Sequence, residues 1–138
     1  DLAVDVVLGL QSPHRRVVEE LVLRRPNTTL HAPIPSLAGL IARADLAIGA
    51  CGATTWERVC LGLHSLVVVV ADNQLPVAKA LDQAGYIQLL GDATSVSAKQ
   101  IHSVLVRALH STWPPAFGYQ AVDGRGTGLV ADLLFSEK

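Results

Sequence analysis

One alternation narrows the fold of this chain more than any other feature. Short, valine-rich apolar runs are separated by segments of helical period, about five times over. The clearest run is Ser65–Ala71, Ser-Leu-Val-Val-Val-Val-Ala, which has no polar position after its serine and reads as a strand buried on both faces. Ala3–Leu10, Thr28–Ala32, Asp45–Ala50 and Tyr86–Asp92 read as the other strands, with Asn27 supplying a turn. Between them, Ser12 and Pro13 fit a helix start, followed by Val17, Val18, Leu21 and Val22 on one face. Pro35–Ala44 places Leu37, Leu40, Ile41 and Ala44 together, and Thr54–Leu63 does the same for Trp56, Val59, Cys60 and Leu63. Leu75–Gly85 ends on a glycine suited to a left-handed stop, Val96–Leu109 is a long helix, and Leu129–Glu137 is a short last one. Strand–helix units joined by short connections predict a Rossmann-like three-layer α/β/α fold, with one parallel sheet of about five strands.

Composition sets the class. Half of the 138 residues are hydrophobic and 17% are charged, which excludes disorder and supplies a core for a single domain spanning 1–138. A net charge of −1 without a basic stripe argues against nucleic acid as a partner, and no apolar run is long enough for a membrane span. Cys51 and Cys60 suggest no disulfide framework, which fits a reducing cytoplasm. The lack of methionine and an opening almost directly into a strand are what a C-terminal piece of a longer protein would show. The Pro/Gly-rich stretch from Trp113 to Gly128 reads as a loop over the surface.

Chemistry is expected where strands end, because an open parallel sheet binds ligands at the carboxyl ends of its strands. After the third strand, Gly49, Ala50, Gly52 and Ala53 let backbone come close to a ligand, and the helix that follows points unpaired N–H groups at an anion. The spacing fits neither the dinucleotide nor the P-loop fingerprint, so a plain tight turn is an equal reading. Thr54 and Glu57 match a capping box, the reading that local sequence favours; the other is a carboxylate accepting from two vicinal hydroxyls, as ribose offers. Asp72, Asn73 and Gln74 close an otherwise apolar strand and suit either sugar and phosphate binding or a helix cap. The five histidines form no metal-ligand spacing, and no complete catalytic centre or cofactor site can be assembled.

Taken together, Ala44–Gln74, followed by Ala78–Tyr86 and supported by Asp123–Leu134, resembles the C-terminal domain of the PseG family. These are UDP-sugar hydrolases of pseudaminic acid biosynthesis, related to MurG-type glycosyltransferases of GT-B fold. The resemblance implies the C-terminal half of a GT-B fold, with a UDP-sugar as ligand; the residues themselves require no cofactor or metal, since helix dipole and backbone donors suffice for a diphosphate, and Asp72 is the one carboxylate near it that could recruit a metal. It places Ala50, Cys51, Gly52, Ala53, Thr54 and Thr55 at the diphosphate, Glu57 at the ribose, Asn73 and Gln74 near phosphate and sugar, and Ile34 at the uracil. It also implies a missing N-terminal domain carrying the catalytic histidine, so this chain alone is expected to catalyse nothing. Cys51 and His64 stand where the family commonly has glycine and proline, so the Cys51 side chain has to point away or narrow the pocket. Three readings follow: part of a hydrolase, the donor half of a glycosyltransferase, or a non-catalytic Rossmann-like binding domain.

Overall fold

The computed structural model describes residues 2–111 and 121–136. Among the described residues, strands and helices alternate up to a closing pair of helices: β1 (Val4–Val7), α1 (Arg15–Arg24), β2 (Thr28–His31), α2 (Ala38–Arg43), β3 (Ala47–Ala50), α3 (Ala53–Cys60), β4 (Ser65–Val69), α4 (Leu75–Gln83), β5 (Gln88–Asp92), α5 (Ala98–His110) and α6 (Gly126–Phe135). Every strand pairing is parallel, which establishes the α/β class. The single five-stranded sheet expected from the sequence is instead two hydrogen-bonded sheets, β1–β2 and β3–β4–β5. The chain divides accordingly into two compact units, Asp1–Leu40 and Ile41–Lys138.

In the first unit, Asn27 turns the chain in the left-handed region (φ 54°), and its carbonyl accepts from the Val4 N–H. β1 and β2 then pair from Val4 with Thr28 to Val7 with His31. The helix expected from Ser12 begins later, with His14 as its cap residue. Ser12 spends its hydroxyl on the His14 N–H and its carbonyl on the Arg15 N–H, forming a turn ahead of the helix. Val18 and Val22 are half-buried, but Val17 and Leu21 are each 58% exposed, so the expected apolar face is only partly covered. The pairs Arg15–Glu19 (2.9 Å) and Arg16–Glu20 (3.5 Å) form on α1 as their spacing predicts.

The second unit is built around β4. Leu66 and Val67 are completely buried and Ser65 with them, while β3 and β5 cover its two edges. One side of the core gathers Cys51, Val59, Val67, Val69, Ala78, Leu81 and Ile87. The other gathers Leu66, Leu90 and Val104, with Ile101 and Leu105 of α5 packed against them. Two helices end in the same way. Gly62 (φ 73°) and Gly85 (φ 78°) enter the left-handed region, and their N–H groups donate to Val59 and Asp82. The next residues, Leu63 and Tyr86, donate to Arg58 and Leu81. This Schellman ending stops α3 at Cys60, short of the Leu63 expected from apolar periodicity. Trp56 is 44% exposed, outside the core to which its spacing had assigned it. Ala44, expected to face inward, is exposed as well.

β5 contains a bulge. Its register against β4 shifts between Val67 and Val68, and Gly91 at φ 132° absorbs the kink. The Leu90 carbonyl freed there accepts from Gln100 Nε2 of α5 at 3.2 Å. Of the loop expected from Trp113 to Gly128, residues 113–120 lie outside the described residues, and Gly126–Gly128 already belong to α6. Among the described residues, no helix is long and apolar enough to cross a membrane.

Candidate functional site

The carboxyl ends of β3 and β4 adjoin, since Ala50 pairs with Val68. The turn into α3 and the turn into α4 therefore leave from one edge of one sheet, where the strand ends place ligand-binding loops in open α/β folds. This adjacency brings Ala50–Glu57 and Asn73–Gln74 to the same edge, as the sequence led one to expect. Ile34, half in contact with solvent between β2 and α2, belongs to the first unit.

The α3 junction differs from its sequence reading in several respects. Gly52 is the N-cap (φ −113°, ψ −163°), so Thr54 is the second helical residue and cannot act as the cap of a capping box. The bland explanation of Glu57 is thereby removed: its side chain is exposed and lies beyond the first helical turn. Thr55 is completely buried; its N–H donates to the Gly52 carbonyl (2.9 Å) and its hydroxyl to the Ala50 carbonyl (3.0 Å). Ala53 and Thr54 remain as first-turn N–H donors without an intrahelical acceptor. A Cβ built on Gly52 would meet nothing within 4 Å, so the cap is open to approach. Cys51 is 6% exposed and packs into the core beside Val59 and Val67, so of the two options open to its side chain it takes the one that points away from the loop.

One residue was missed. Arg58 is 7% exposed, and its Nη2 donates to the Ala50 carbonyl and to Thr55 Oγ1, each at 3.0 Å. Its Nη1 would lie 2.6 Å from a Cβ at position 49. The glycine at 49 therefore makes room for a guanidinium, not for a ligand as the sequence suggested. Desolvation lowers the Arg58 pKa from its ordinary value, opposed by nearby Cys51 and Glu57. The signal in the sequence was an arginine three residues after Thr55, on the inner face of α3.

At the second turn a short 3₁₀ segment, Asp72–Gln74, runs directly into α4. Neither Asp72 nor Asn73 caps the helix: the cap residue is Gln74, with no side-chain cap hydrogen bond. Asp72 and Asn73 are exposed, whereas the Gln74 side-chain oxygen accepts from the Val70 N–H at 3.1 Å. That bond fixes the amide so that its NH₂ group remains as a donor.

Elsewhere, His31 Nε2 meets Asp5 Oδ1 at 2.6 Å across β1 and β2, a pairing of residues far apart in sequence. His64, 8% exposed, is held below its ordinary pKa by burial. Both cysteines are free thiols. Among the described residues no group of three His, Cys, Asp or Glu side chains gathers as a metal site.

Fold and edge together define an α/β protein with two polar turns at the carboxyl ends of adjacent parallel strands. The chain is similar to the spore coat polysaccharide biosynthesis protein SpsG of Bacillus subtilis (strain 168), with 29% identity over 140 aligned positions. The match covers 95% of this chain and 41% of that protein, so the chain spans about two fifths of its relative's length. No family model matches the chain. No solved structure matches it either.

Proposed function

We propose that residues 1–138 form the nucleotide-sugar-binding domain of a PseG-like UDP-sugar hydrolase of surface polysaccharide or nonulosonic acid biosynthesis, the catalytic domain being a separate, preceding part. The carrying observation is the α3 junction. It presents a glycine cap with nothing within 4 Å of a Cβ built there among the described residues and two first-turn N–H groups without an intrahelical acceptor, and its glutamate has no capping duty. The similarity to a polysaccharide biosynthesis protein over nearly the whole chain supports a sugar-nucleotide ligand.

In this reading the Ala50–Thr55 loop faces the diphosphate. Gly52, Ala53 and Thr54 approach it with backbone donors, the α3 dipole favours its charge, and Cys51 and Thr55 shape the turn from behind. Glu57 accepts from the ribose hydroxyls, and Asn73 and the Gln74 NH₂ donate near phosphate and sugar. When water attacks the sugar C1, the same donors stabilise the diphosphate as it leaves.

A UDP titration followed by amide NMR shifts, with CDP, GDP and NAD as controls, tests the proposal. Shifts strongest for UDP and clustered at Ala50–Glu57 and Asn73–Gln74 are expected. Absence of saturable shifts at millimolar UDP would remove the reading.

A further inference from the structure

Arg58 sits in the wrong kind of place for a surface cation. It is more than nine-tenths buried, and no carboxylate among the described residues forms an ion pair with it. Its Nε is buried without a hydrogen-bond partner among those residues. A buried charge outside any ion pair is costly, and a hydrocarbon of similar volume would fill the space more cheaply. The cost is offset in part by a closed triangle. Arg58 Nη2 bonds both the Ala50 carbonyl and the Thr55 hydroxyl, and that hydroxyl bonds the same carbonyl, each at 3.0 Å. The three corners are the end of β3, the first turn of α3 and its second turn, so the triangle encloses the Cys51–Gly52 turn from behind. Gly49 completes the seat, since a side chain there would collide with Nη1.

We propose that Arg58 is the positioning residue of the proposed diphosphate loop: its guanidinium locks the turn between β3 and α3, and its charge, held in no ion pair among the described residues, strengthens the pull on an anion in front of that turn. The inference rests on the nucleotide reading only for the identity of the anion. Ala50, Thr55 and Gly49 are its partners, so Arg58 acts through the loop without touching ligand.

The test titrates the full chain and its Arg58→Met variant with inorganic diphosphate, UDP and uridine, reading the Ala53 and Thr54 amides. The variant should bind diphosphate and UDP about tenfold more weakly, the scale of one charge acting through a poorly screened interior. Its affinity for uridine should be unchanged. Equal losses for uridine and diphosphate would mean general damage to the fold and would overturn the proposal. So would wild-type diphosphate binding by the variant, which leaves the UDP reading standing. If the unaltered chain binds diphosphate but UDP no better, the nucleotide reading fails and the Arg58 role survives. If it binds neither anion, both are lost. Should Arg58→Met not fold, Arg58→Lys keeps the charge without the planar fork and should weaken diphosphate binding about threefold. Affinity equal to that of the unaltered chain would then overturn the guanidinium's part.

Discussion

Two strand-to-helix turns in the second unit solve the same problem in opposite ways. After β5 the chain satisfies itself from in front. The Asp92 carboxylate takes bonds from the backbone and hydroxyls of Thr94 and Ser95, and Ser97 caps α5 by accepting from the Gln100 N–H at 3.2 Å. After β3 the polar support comes from behind, through Arg58 and Thr55, and the front of the helix start is left as bare glycine and N–H groups. A turn filled with its own side-chain acceptors has no donors left for a ligand. A turn braced from the interior keeps them. The contrast separates a helix start that satisfies itself from one whose front donors stay available to the proposed ligand.

The largest expected effect tests the brace. Gly49→Ala puts a methyl 2.6 Å from Arg58 Nη1, and overpacking of this kind should cost about 2 kcal/mol in urea unfolding. The same change at Gly52, where nothing lies within 4 Å, should cost far less. Next is Glu57→Gln. It should weaken UDP binding about tenfold, because a charge-assisted acceptor is lost, while leaving the melting temperature unchanged. An equal loss of stability would return Glu57 to a structural role. Ser97→Ala at the self-capped turn should show the reverse, about 1 kcal/mol less stable with unaltered UDP shifts. The smallest effect is one of pH. Side-chain hydrogen bonds from Thr94 and Ser95 pull the Asp92 pKa down to about 2, from 3.8. A depressed carboxylate stabilises the fold above its unfolded value, and that contribution is lost as pH falls from 3.8 toward 2. Asp92→Asn should flatten that part of the stability curve in acid unfolding.

Sequence periodicity exposed the order of the elements because buried strands and amphipathic helices leave local patterns. It did not show that the five strands fall into two hydrogen-bonded sheets, since pairing is a long-range property. Glu57 was weighed against a capping box that depends on where α3 starts, and the start was set by backbone geometry at Gly52 that no spacing rule reports. Arg58 escaped notice because an isolated arginine on a helix ordinarily reads as solvated. Only the glycine nine positions earlier, brought against it by folding, gives it a seat. His31 and Asp5 meet through strand register and were equally invisible.

The central strand has one further consequence. Ser65–Ala71 is a seven-residue stretch without charge, glycine or proline, and it is bounded by His64 and Asp72. In the native sheet its Ser65–Val69 part lies between β3 and β5. Once unfolding frees it, it becomes the segment best suited to stack with copies of itself. Heating concentrated protein should therefore be irreversible and dependent on scan rate, with turbidity following loss of structure. A charge placed at Val68 should suppress the turbidity even as it weakens the fold.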